Sequence, residues 1–282
     1  MWNQEDFEKR LNEVSEEEFD DSLLLMLEEG VRVEIPQYAQ DILKSFQKIN
    51  RSIVFLDSET STSDPNKHIF AICNTFKMPV SFALQNLNKL LLALKSVKTN
   101  DIIIYSEYIH IERKDDEGTR REMKVHHHDN FDLIESPAKA YETKNMDNIY
   151  EMMELDPDFS DADLSFNLSS SDMRSIKEAN KIMDGRENQI IFTFSEGIMS
   201  ISISDEADEV ADTWRVEIPI PYSGDEFELV YHTAVLDKLI YGEYTVYAYE
   251  DGIAGFRLNP IEVDGEKIDL GLTYIVTIGS DY

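Results

Sequence analysis

The 282-residue chain contains a single cysteine, Cys73. That excludes a disulfide framework and a cysteine-built zinc site, and it points to a reducing cytoplasm. Basic residues are scarce: 26 Lys and Arg stand against 57 Asp and Glu, a formal net charge of −31. Spread evenly, such a charge would repel nucleic-acid phosphate. No apolar run approaches the length of a membrane span, and the opening residues MWNQEDFEKR carry no signal-peptide pattern. The GxGxxG, phosphate-loop, HExxH and GxSxG signatures are missing. Among so many carboxylates no spacing selects a catalytic pair. These absences predict no enzyme, no cofactor and no membrane partner.

What is present reads as a globular protein, with 42% hydrophobic and 10% aromatic residues over a length that suits two domains. FELVYHTAVLDKLIYGEYTVYAYEDGIAGFRL, residues 227–258, reads as a strand, a short helix over His232 to Tyr241 and a hairpin turning at Asp251-Gly252. The same order occurs earlier, with VSFAL at 80–84, NLNKLLLALKSV at 86–97 and IIIYSEYIHIER at 102–113. The repetition predicts an internal duplication. The expected divisions are an acidic arm over 1–30, a first domain over 31–135, a linker over 136–161 and a second domain over 162–282. Each domain reads as α+β: a curved antiparallel sheet with two helices on one face.

The charge is not spread evenly. The helical segments Tyr38–Ser52, Gln85–Lys98, Ser169–Arg186 and His232–Ile240 hold eleven basic and five acidic residues, which reverses the balance of the chain. Lys44, Lys48 and Arg51 fall on one stripe, and Arg174, Lys177 and Lys181 repeat the arrangement. Lys89 and Lys95 take the polar side of the leucine-rich helix. Lys98 falls toward its apolar sector unless the helix has already ended. Arg186 and Lys238 lie near the ends of the remaining two. A charged helix face is ordinarily only a solvated one. Four helices nearly stripped of acids in so acidic a chain are not what that ordinary reading predicts. A lysine stripe without a base-reading motif suits phosphate contact without sequence preference. Basic helices from several subunits lining one hole would hold duplex DNA and let it slide.

At ILKSFQKINRSIVF (42–55), DLSFNLSSSDMRSIKEANKI (163–182), LDKLIYGEYTVYAYEDGIAGF (236–256) and LTYIVTIGSDY (272–282), the chain resembles the DNA polymerase sliding clamps, or processivity factors, most of all those of large tailed bacteriophages. The resemblance implies a homotrimeric ring of two-domain subunits around duplex DNA, helices inside and sheets outside. It also implies an ATP-dependent clamp loader and a DNA polymerase tethered by a short peptide. The DNA-facing residues it implies are Lys44, Lys48, Arg51, Lys89, Lys95, Lys98, Arg174, Lys177, Lys181, Arg186 and Lys238. The partner pocket it implies is formed around Phe256, Tyr274, Ile278 and Tyr282. A head-to-tail contact would pair exposed edge strands, for which Ile102–Ile111 and Ile198–Ser204 are the candidates. The alternative is an acidic β-rich interaction or virion structural protein with no DNA role.

Three further features have plainer readings. His126-His127-His128 alternate faces if they lie in a strand, so a metal site is not expected there. The run Asp156, Asp158, Asp161, Asp163 lacks the glycine and glutamate of a calcium loop and reads as a solvated linker. Cys73 lies in an apolar run and is expected in the core.

Overall fold

The computed structural model describes residues 28–55, 60–64, 68–127, 159–183, 188–205, 213–250, 252–263 and 265–277. In chain order the first part contains β1 (Val31–Glu34), α1 (Gln37–Ile49), β2 (Ile53–Phe55), β3 (Thr60–Ser63), β4 (Ile69–Cys73), β5 (Phe82–Leu84), α2 (Leu87–Val97), β6 (Asp101–Ile104), β7 (Tyr108–Lys114) and β8 (Arg120–His126). The second contains β9 (Leu164–Leu168), α3 (Ser170–Ile182), β10 (Asn188–Ser195), β11 (Ile198–Asp205), β12 (Trp214–Pro219), β13 (Phe227–His232), α4 (Thr233–Lys238), β14 (Tyr244–Ala248), β15 (Ile253–Leu258), β16 (Ile261–Val263), β17 (Glu266–Ile268) and β18 (Leu272–Thr277). The order strand–helix–four strands–helix–strands is followed twice. No helix among the described residues is long and apolar enough to cross a membrane.

Two compact units result, one from the described residues before 63 and from 76 to 127, the other from the described residues of 63–75 and those from 159 on. The first unit holds the antiparallel orders β1-β6-β7-β8 and β5-β2-β3. The second holds β9-β14-β15-β18-β4 and β13-β10-β11-β12. The topologies correspond: the first strand of each pairs with the strand after the second helix, and the strand after the first helix pairs with the strand before the second. The fold is α+β and mostly antiparallel.

The alternation of the sequence explains the layers. Val31 and Val33, or Leu164, Phe166 and Leu168, are buried while their neighbours are exposed. The helices bury apolar faces in the same way: Ala39, Ile42, Leu43 and Phe46 of α1, and Leu87, Leu90, Ala93 and Leu94 of α2, are all buried. At α3 a capping box closes the first turn, with the Ser169 hydroxyl accepting from the Asp172 N–H and the Asp172 carboxylate accepting from the Ser169 N–H. Cys73 is buried, as its apolar surroundings predict.

Three expectations change, and the histidine run alternates as expected. The strand HIFAICN, grouped by sequence with the first domain, clusters with the second unit because β4 pairs with β18 from Ile69↔Val276 to Cys73↔Leu272. Ile102–Ile111 and Ile198–Ser204 are not edges: β6 and β7 lie inside their sheet, and β11 lies between β10 and β12. Their isoleucines mark central strands with a buried face, both faces in β6, whereas the edges β8 and β12 carry more charge. The last helix stops at Lys238, short of Tyr241. Leu239 is extended, and the Tyr244 hydroxyl donates to the Ile240 carbonyl at 2.7 Å, so that stretch is held by tyrosines instead of a helical turn. His126 ends β8 exposed while His127 turns inward, its Nε2 lying 2.6 Å from the Tyr105 carbonyl oxygen; His128 lies outside the described residues.

Candidate nucleic-acid interface

In the first unit, burial of the apolar face of α1 leaves Gln37, Asp41, Lys44 and Lys48 pointing outward. Asp41 is the one acid of this helix, and Lys44 Nζ lies 2.7 Å from its carboxylate. Arg51, just past the helix end, is also exposed, and its carbonyl accepts the Leu87 N–H at 2.9 Å. That bond ties the exit of α1 to the first residue of α2, and the two helices pack together. On α2 the exposed residues are Asn88, Lys89, Leu92, Lys95 and Ser96, with no acid among them. The helix ends at Val97, and Lys98 caps it in the left-handed conformation with φ at 60°. Lys98 is therefore exposed, not turned into the apolar sector.

Arg113, at the end of β7, adds a cation that helix periodicity could not reveal. Its Nη1 donates to the Lys98 carbonyl at 2.7 Å, placing positive charge where the dipole of α2 favours it. From Arg51 at its start to Lys98 at its end, α2 carries basic residues along about 16 Å of helix.

The second unit is built differently. Arg174 and Lys181 of α3 are exposed, with Glu178 exposed between them. Lys177 is not on that surface; it is only 5% exposed. Its Nζ donates to the Leu239 carbonyl at 2.6 Å and sits 4.7 Å from the centre of the Tyr241 ring. The inward face of α3 is Met173, Ile176, Lys177, Ala179 and Asn180, so the outward stripe runs 174, 178, 181. Asn180 Nδ2 donates to Asp237 of α4 at 3.0 Å, which fixes the two helices together. Lys238 is partly buried and faces Asp64 at 3.9 Å. Burial lowers the pKa of its ammonium, and Asp64 works in the opposite direction. Asp64 also accepts N–H bonds from His68 and Ile69, so this lysine is engaged locally. Arg186 lies outside the described residues.

The pocket residues expected from the resemblance separate in the same way. Phe256 and Tyr274 are 1% and 0% exposed and pack edge-on against Tyr244, so they are core residues and cannot receive a peptide at the surface. Ile278 and Tyr282 lie outside the described residues. Of the aspartate run, Asp161 accepts from the Tyr249 hydroxyl and Asp163 from the Glu250 N–H, while Asp156 and Asp158 lie outside the described residues.

His110, Glu112 and Glu122 bring their ligand atoms within 4.8 Å of one another on the face of β7 and β8. Arg120 already sits there, its guanidinium 2.8 Å from Glu112 and 2.9 Å from Glu122. The hydrogen bond to Glu112, followed by the charge of Glu122, raises the pKa of this arginine further. The cation position between these carboxylates is filled by a side chain.

No protein-family model matches the chain, and no curated protein matches it by sequence. Solved structures do match by fold. The β sliding clamp of C. crescentus aligns with a TM-score of 0.56 at 12% identity, over 88% of this chain and 64% of that one. A. fulgidus PCNA bound to the C-terminal region of FEN-1 aligns with a TM-score of 0.56 at 13% identity, over 88% and 97%. The Proliferating Cellular Nuclear Antigen of Entamoeba histolytica aligns with a TM-score of 0.52 at 10% identity, over 84% and 93%. The chain thus spans about two thirds of the bacterial β clamp and nearly all of PCNA, and its fold is that of the sliding clamps.

Proposed function

We propose that this protein is a sliding clamp: a non-enzymatic ring of three copies that encircles duplex DNA, is opened by an ATP-dependent loader and tethers a replicative polymerase, as in the tailed phages its sequence resembles. The observation that carries the reading is the acid-poor basic surface of α1 and α2 in a chain whose net charge is −31. An acidic exterior repels DNA elsewhere, which concentrates phosphate attraction on those helices. The contacts available are lysine and arginine side chains without a base-reading element, which suits sliding.

Internal correspondence supports closure of the ring. In each repeat the fourth strand after the start, β4 or β12, borders the same position of its sheet order. β4 pairs with β18, the last strand of the second repeat. β12 and β8, the last described strand of the first repeat, are both free edges among the described residues. Pairing β12 of one copy with β8 of the next reproduces the β4–β18 contact between molecules. Such a head-to-tail contact is heterologous and closes into a ring when its rotation allows. Met123 on β8, 39% exposed, would be covered.

Reversing Lys44, Lys48 and Lys181 to glutamate together should reduce loader-dependent stimulation of the polymerase at least tenfold while leaving the melting temperature within a few degrees. Full stimulation by that folded variant would contradict the assignment of these faces to DNA.

A further inference from the structure

The two units are unequal as phosphate-binding surfaces. On α1, α2 and their caps, Lys44, Lys48, Arg51, Lys89, Lys95 and Lys98 are exposed, and Asp41 is the only acid on either helix. Arg113 adds to that side. On α3 and α4 the exposed cations are Arg174 and Lys181, set against the exposed acids Glu178 and Asp237. The two lysines that would have evened the balance are withdrawn: Lys177 is buried against the Leu239 carbonyl, and Lys238 faces Asp64.

From this we infer that duplex DNA is held through the first unit, and that α3 and α4 form a nearly neutral surface along which the duplex passes with little phosphate attachment. The inference rests on the clamp reading and adds to it a lopsided track. Coulomb attraction to phosphate scales with the net local charge, and an acid one helical turn from a base cancels most of what that base offers a phosphate several ångströms away. Arg174 and Glu178 are spaced in that way, four residues apart. In a closed ring the attachment would then come in patches, one per subunit, separated by stretches of weak contact.

The test is the salt dependence of binding to an end-labelled duplex of about 30 base pairs, measured by fluorescence anisotropy with the full chain and no loader. Each phosphate contact adds about 0.9 to the slope of log K against log salt. Lys48→Gln, Lys89→Gln and Lys95→Gln together should lower that slope by about 2.7 and weaken binding at least tenfold at low salt. Arg174→Gln with Lys181→Gln should lower it by less than one and weaken binding about twofold. Melting temperatures of both variants within a few degrees of the unsubstituted chain establish that the comparison is between folded proteins. Equal losses from the two variants, or a larger loss from the second, would overturn the asymmetry while leaving the clamp reading in place. Absence of any salt-dependent duplex binding by the unsubstituted chain would remove the asymmetry and the DNA reading together.

Discussion

Lys177 and Lys181 show what a helical wheel can and cannot decide. Both lie within one turn of α3 and both satisfy the spacing of a basic stripe, yet one ammonium faces solvent and the other a backbone carbonyl. The difference is set by α4, which covers the side of α3 that carries Lys177 and offers the Leu239 carbonyl at its C-terminus. A helix C-terminus is a favourable place for a cation. Nothing local to residues 170–182 encodes that neighbour. Phe256 and Tyr274 teach the same lesson from the apolar side: aromatic residues in a C-terminal strand are compatible with a surface pocket or a core, and packing against Tyr244 puts them in the core. Tyr244 itself yields a prediction. Burial, with a smaller contribution from Tyr274, holds its phenol well above the ordinary value near 10. In the folded chain it keeps its proton after the unfolded chain has begun to lose it. Its stabilising contribution is therefore complete below pH 10 and is lost as pH rises from there through the raised folded value. Lys238, whose pKa is lowered, acts with the opposite sign, so the comparison is best made on one substitution. Tyr244→Phe should cost about 1 kcal/mol at neutral pH through the lost bond to Ile240, yet flatten the alkaline fall in stability measured by denaturant titration between pH 8 and pH 11. An unchanged alkaline slope would mean that this phenol does not govern it.

Elements were more legible than individual side chains. The period-3.6 pattern places α1, α2 and α3, and the period-2 pattern places β1, β9 and β13, because one buried face is enough to imprint either rhythm on the sequence. Strand order was not legible. Isoleucine-rich segments suggest edges suited to pairing, but the structure uses them as central strands: β7 and β11 are each flanked by the strands before and after them in the chain, and β6 lies between β1 and β7. The shortened α4 is a related case, in which tyrosine hydroxyls replace helical bonds. At α3 the signal was local and complete: Ser169 with Asp172 three residues on forms a reciprocal cap. Ser169→Ala should destabilise the protein by about 0.5–2 kcal/mol, seen as a melting temperature lower by a few degrees. Since Ser169 makes no contact assigned to DNA, duplex affinity should be retained. A loss of affinity without loss of stability would show that this helix end has a role beyond its own fold.

For the whole molecule, the duplication visible in the sequence as two strand–helix–hairpin passages becomes two units of matching topology, and the clamp fold follows from that match. Charge completes the reading. In an acidic chain, two packed helices carry one acid between them, Asp41, and under the proposed function that contrast would attract DNA to their surface and repel it from the rest. In the proposed ring, three copies would bring these helices around a duplex, as the resemblance implies. Association of this kind depends on concentration, because the proposed pairing of β8 with β12 would form only in the assembly. The decisive measurement is the native mass of the purified chain across a dilution series, by sedimentation at high concentration and single-particle mass measurement at low. A closed species of three chains that dissociates only on dilution is the predicted result. A monomer at every concentration would leave the basic helices with no channel to line and would favour an acidic interaction or structural protein instead.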